Sequence, residues 1–257
     1  MRRKLIAGNW KMNAGYKESE KLAKDILSGI DKSTLDKTDV LICPPFTSLG
    51  IVNKSIKDSG IKLGAQNLYF ENDGAYTGEI SASMLKSVGC EYVIIGHSER
   101  RQLLNENNKT INKKVLKALE FNLKPILCVG EILQEREDEI FEGIVEKQLT
   151  EALININESD MSNIVIAYEP VWAIGTGLNA TPGQISSMHR FISDVIEKLY
   201  NSVITENLLI LYGGSVNEKN SKEILSACGV DGALIGGASL KADVFCGIAK
   251  TAAGIGS

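Results

Sequence analysis

The chain has 257 residues, of which 44% are apolar and 23% charged, and 28 Lys and Arg against 32 Asp and Glu leave a formal net charge of −4. That balance excludes a disordered polyelectrolyte and gives no basic field for a nucleic-acid backbone. The length suits two ordinary domains or one large α/β barrel.

Neither membrane nor export signals are legible. The basic start Arg2-Arg3-Lys4 is followed by Leu5-Ile6-Ala7-Gly8 and turns polar at Asn9, too soon for a secretory segment, and no run is apolar enough to span a bilayer. Cys43, Cys90, Cys128, Cys228 and Cys246 are scattered and form no CxxC pair, and the chain has two histidines. Reduced thiols, a cytoplasmic setting and no metal centre are expected.

Taken in chain order, short apolar β-branched runs predict strands over 4–8, 39–43, 62–65, 92–96, 125–129, 163–168, 208–212 and 232–235. Amphipathic helical spacing runs between them, over 17–30 and 139–154 and most regularly over 182–199. There Thr181 reads as the N-cap, Pro182 as the first helical residue and Gln184 as the other half of a capping box. Strands apolar on both faces imply a sheet covered on both faces, hence a parallel one. No Pro-, Gly- or Ser-rich linker divides the chain. Eight β–α units in one linker-free run favour an α/β fold with a single (β/α)8 barrel domain over 1–257. An open doubly wound sheet is the alternative.

In such a barrel the chemistry sits where strands end at their C-terminal side. Strand 1 ends in Asn9-Trp10-Lys11, strand 4 in His97-Ser98-Glu99, strand 6 in Glu169-Pro170, strand 7 in Gly213-Gly214-Ser215 and strand 8 in Gly236-Gly237. A Lys, a His and a Glu therefore converge on one mouth. Each has a plain reading beside the chemical one. Lys11 is a solvated loop lysine or a fixed charge in the mouth. His97 is a hydrogen-bonded structural histidine or an acid–base group. Glu169 is half of a buried ion pair or a base with a raised pKa. The glycine pairs are tight turns or a cradle whose N–H groups approach a phosphate. His189, inside helix 182–199, reads as structural, and Cys128 as a small core residue.

Several segments are longer than these single residues and more specific. Ala7-Gly8-Asn9-Trp10-Lys11-Met12-Asn13, Gly74-Ala75-Tyr76-Thr77-Gly78-Glu79, Gly96-His97-Ser98-Glu99-Arg100-Arg101, Tyr168-Glu169-Pro170-Val171-Trp172-Ala173-Ile174-Gly175-Thr176-Gly177 and Tyr212-Gly213-Gly214-Ser215-Val216 closely resemble the triosephosphate isomerase family, in order and along the whole chain. The resemblance implies the (β/α)8 TIM barrel and a cytoplasmic enzyme of glycolysis and gluconeogenesis. Its reaction interconverts dihydroxyacetone phosphate and glyceraldehyde 3-phosphate through an enediolate. By resemblance Glu169 is the base, His97 a neutral electrophile, Lys11 the fixed positive charge and Asn9 a further donor at the oxyanion. Glu99 hydrogen-bonds Lys11 or orients the site. Gly175, Ser215, Gly236 and Gly237 bind the phosphate. Segment 170–180 is a closing lid with Trp172 anchoring one hinge. Segment 71–79 is an arm that carries Thr77 to the site of a second copy, in a homodimer. No metal, organic cofactor, nucleic acid or membrane is implied.

The sequence departs from the family pattern at one place. The arginine that the family carries on the helix after the lid, to pair with the aspartate before strand 8, is Ser193 here, with Arg190 one turn away and Asp231 in place. The expected consequence is altered support of the phosphate loops. Two other readings stay open: a different phosphate-binding barrel enzyme, and a non-enzymatic binding module.

Overall fold

Alternate residues of every strand are buried on opposite sides, which is why the runs read as continuously apolar. In the computed structural model, which describes residues 2–174 and 179–255, Leu5 and Ala7 of β1 (Lys4–Asn9) join Leu41 and Cys43 of β2 (Thr38–Cys43) in one cluster, while Ile6, Val40 and Ile42 join another. The same division continues through β4 (Tyr92–Ile95), β5 (Lys124–Val129), β6 (Val165–Tyr168), β7 (Leu209–Tyr212) and β8 (Gly232–Ile235), while β3 (Lys62–Ala65) adds Leu63 and Ala65 to the second cluster and nothing to the first. The strands pair in parallel in sequence order, and β8 pairs with β1 to close a barrel. The smaller cluster, drawn almost entirely from strand residues, fills the barrel. The larger one lies between the strands and the surrounding helices. The open doubly wound alternative is therefore excluded.

Strand ends fall within two residues of those the pattern predicts. The three amphipathic stretches are helices Tyr16–Gly29, Phe141–Ala152 and Pro182–Leu199. The last is capped as its sequence indicates: the Gln184 N–H donates to Thr181 Oγ1 at 3.2 Å, and the Thr181 N–H donates to Gln184 Oε1 at 2.9 Å. His189 is buried on this helix, with Nδ1 2.9 Å from the Gly229 carbonyl oxygen. All five cysteines are unbridged, and only Cys228 is exposed.

The departure at Ser193 resolves differently from the expectation. Asp231 stands before β8, at the end of the barrel opposite the mouth, so it cannot support the phosphate loops. Its partner is Arg2, with Nε 3.1 Å from Oδ1, rather than Arg190 or Ser193. The Ile210 N–H donates to the other oxygen at 3.0 Å, and Arg2 also donates to the Thr205 carbonyl at 3.0 Å. Burial pushes the Asp231 carboxyl above the usual range, and the Ile210 N–H and Arg2 oppose that shift. The ion pair joins the chain ahead of β1 to the residue ahead of β8 and, through the Ile210 N–H, to β7.

Candidate active site

At the mouth, the end of β1 is forced into a tight turn. Asn9 Oδ1 accepts the Lys11 N–H at 3.0 Å, and Lys11 takes a left-handed φ of 53°. A non-glycine residue holds that conformation only where its surroundings over-determine it. Gln66, just past β3, does so: its Nε2 donates to the carbonyls of Lys11 at 2.8 Å and Cys43 at 2.9 Å. The turn sets Lys11 Nζ 2.6 Å from Glu99 Oε1. Gln66 was not singled out in the sequence, and its only signal was its place directly after a strand.

At the end of β4, His97 caps the short helix Ser98–Leu103. The Glu99 N–H donates to His97 Nδ1 at 3.2 Å. A backbone N–H can only donate, so Nδ1 is the acceptor of this pair. Nε2 lies 3.1 Å from Glu169 Oε1, a close contact whose N–H direction is off line, so Oε1 has no aligned hydrogen-bond donor. The other oxygen, Oε2, accepts the Ser98 N–H at 2.8 Å. Glu169 is 2% exposed, so this carboxylate is withdrawn from water, with one oxygen lacking a hydrogen-bond donor.

Two glycines make room for it. A Cβ at Gly130 would overlap the Glu169 carbonyl oxygen, and one at Gly213 would lie 2.7 Å from Glu169 Cγ. Both positions need the close approach that only glycine permits. Beneath them Cys128 is fully buried, and burial pushes its thiol well above the ordinary range, so it is a core residue. Arg101 threads behind the site, donating to the carbonyls of Gly96 and Cys128 at 2.8 and 2.9 Å.

The start of segment 170–180 is tied down by Glu131, a buried residue that sequence reasoning missed. Its Oε1 accepts Trp172 Nε1–H at 2.8 Å and the Tyr168 hydroxyl at 3.0 Å, and its carbonyl accepts the Val171 N–H at 3.0 Å. Burial raises the Glu131 carboxyl above the usual range, and the Trp172 and Tyr168 donors pull it back. Gly175 lies outside the described residues.

These strand ends enclose a cavity of about 330 Å³. Asn9, Lys11, His97 and Glu169 line it together with Ser215, Gly236 and Gly237. A Cβ at Gly236 would stand 3.1 Å from Lys11 Cε, so glycine there lets the lysine stem pass. One end of the cavity thus offers an ammonium group, a hydroxyl and glycine backbone. The other offers a carboxylate and an imidazole. Glu99 and Trp172 stand behind it, while Thr77 is exposed on its loop, away from the site of its own chain.

The family model described as triosephosphate isomerase matches residues 4–252. The chain belongs to the triosephosphate isomerase family. It is 50% identical over 248 residues to the triosephosphate isomerase of Alkaliphilus oremlandii (strain OhILAs), covering 96% of this chain and 99% of that one. It is 51% identical over 254 residues to that of Chlorobium chlorochromatii (strain CaD3), covering 99% and 100%. The triosephosphate isomerase of Rhodopirellula baltica is 48% identical over 251 residues, covering 98% of each chain.

Proposed function

We propose that this chain interconverts dihydroxyacetone phosphate and glyceraldehyde 3-phosphate, with Glu169 as the base. The observation that carries the reading is the unpartnered Oε1 of a buried carboxylate, 3.1 Å from the His97 Nε2, in a residue pair that lines the same cavity as Lys11. A proton beside a carbonyl is weakly acidic, so base and carbonyl polarisation must act together. Glu169 Oε1 takes the proton from one carbon and returns it to the next. His97 Nε2–H hydrogen-bonds the carbonyl oxygen, and Lys11 and Asn9 stabilise the negative charge of the enediolate. Ser215, Gly236, Gly237 and Gly175 bind the phosphate, which needs no metal or organic cofactor.

The active form in this reading is a cytoplasmic homodimer. Beside the site, Met12 (96% exposed), Leu103 (74%) and Leu104 line a groove of about 490 Å³ that also touches Lys11 and Glu99. An exposed apolar groove at a mouth suits a protein partner. The arm at 71–79 supplies one: it is held at its base by Ser83 Oγ–Asp73 bonds of 2.6 and 2.8 Å, and it presents Tyr76 and Thr77 outward. A coupled assay on purified protein supplied with glyceraldehyde 3-phosphate tests the reaction. Turnover to dihydroxyacetone phosphate is expected, and a folded protein without it refutes the reading.

A further inference from the structure

The carboxylate of Glu169 is fixed at its tip by Ser98 and at its stem by backbone, and the backbone wall on the β5 side is itself held by a side chain from outside the barrel. β5 ends at Val129, whose register partner is Tyr168. The Glu169 N–H donates to the Val129 carbonyl at 2.7 Å. The next residue, Gly130, lies so close to Glu169 that a Cβ would overlap its carbonyl oxygen.

Gln148, on helix Phe141–Ala152, meets Gly130 with both ends of its amide. Its Oε1 accepts the Gly130 N–H at 2.8 Å, and its Nε2 donates to the Gly130 carbonyl at 3.0 Å. These two groups belong to the peptide units on either side of the Gly130 Cα, so the pair fixes both planes at once. A glycine has the widest backbone freedom of any residue, which makes an external clamp most consequential at this position. The second of those peptide units leads into Glu131, which holds Trp172, Tyr168 and the Val171 N–H. One amide therefore orders the segment that touches the Glu169 backbone and the segment that anchors the start of 170–180.

We propose that Gln148 is a positioning residue for Glu169, acting through the Gly130 backbone. The proposal rests on Glu169 being the base. Gln148 does not line the cavity that holds Glu169 and His97, and its effect is on where Oε1 points. Displacement of a reacting group by about 1 Å can cost about 10²-fold in rate. The alternative is ordinary helix–barrel packing, in which Gln148 satisfies two backbone groups and nothing more.

Three variants separate these. Gln148→Met keeps the volume and flexibility of the side chain and loses both hydrogen bonds. Glu169→Gln removes the base. The double variant combines them. For Gln148→Met we expect kcat to fall about tenfold or more, with KM and the inhibition constant of inorganic phosphate within about twofold of the parent. In the Glu169→Gln background the same change should cost nothing further, because there is no base left to position. Unchanged kcat in Gln148→Met overturns the proposal. So does a loss that multiplies with that of Glu169→Gln, or one that appears in KM alone. Should Gln148→Met fail to fold, Gln148→Glu carries the same test, since it keeps the acceptor for the Gly130 N–H and loses the donor to its carbonyl. If Glu169→Gln by itself retained near-parental turnover, the base assignment would fail first, a result distinguishable from a failure of the clamp.

Discussion

The backbone N–H of Glu99 lies 3.2 Å from Nδ1 of His97 and donates to it. The helix Ser98–Leu103 begins there, so the donor is one of the free N–H groups of a helix start. The proposed reaction uses His97 as a neutral N–H donor at Nε2. Nitrogen NMR of the folded protein at neutral pH should show His97 Nδ1 bare and Nε2 protonated. A protonated Nδ1 would contradict the electrophile assignment.

Glu169→Gln keeps the shape of the side chain and its bond to the Ser98 N–H, but cannot accept a proton. Positioned general bases contribute about 10² to 10⁴-fold. A loss of at least 10²-fold in kcat is expected, with phosphate binding little changed. Retention of more than about a tenth of the parental turnover would remove Glu169 from the role of base.

At the opposite end, Arg2→Ala leaves Asp231 charged and partly buried, and also frees the Thr205 and Leu208 carbonyls. Arg2 is 36% exposed and Asp231 11%, so the cost should fall between that of an exposed pair and that of a buried one, at about 1–3 kcal/mol. Arg190→Ala, at an exposed position outside the pair, should change stability by about 0.5 kcal/mol or less. Denaturant titration compares the two. Equal effects would show that Arg2 is not the partner that matters. Specific activity of the folded Arg2→Ala protein should be unaltered, because the mouth lies at the other end of the strands.

Burial lowers the His189 pKa from 6.5 to about 4, against a smaller raising effect of the Gly229 carbonyl. The unfolded chain therefore binds the extra proton first as pH falls. Stability is fully present above pH 6.5 and is lost progressively down to about pH 4, by up to about 3 kcal/mol. His189→Gln should flatten that part of the stability profile. An unchanged slope between pH 6.5 and 4 in the variant would assign the acid sensitivity elsewhere.

Tyr69 packs on Phe70 and Tyr76 at centroid separations of 4.4 and 5.0 Å, and Lys113 lies 4.7 Å above the Phe70 ring. The base of the arm is thus built on its own chain, while its tip projects. Replacing the tip by a short glycine linker should leave the barrel folded, yield monomers and depress turnover. Sedimentation that still reports a dimer would refute the arm as the contact.

Much of this molecule could be read before it was folded. Strand positions followed from short continuous apolar, β-branched runs, and the Thr181–Gln184 box followed from side-chain spacing within one helical turn. Those signals are local, and local geometry decides them. The convergence of Asn9, Lys11, His97 and Glu169 was also legible, because a parallel barrel delivers every strand end to one face. The sequence could not say what holds those residues in place. Gln66 on the Lys11 turn, Gln148 on Gly130, Glu131 under Trp172 and Arg2 on Asp231 join positions 18 to 229 residues apart. None carries a periodic or spaced signal. Each exists because barrel closure brings a polar side chain against backbone or charge that burial would otherwise leave unpaired, and only the tertiary structure decides which side chain arrives.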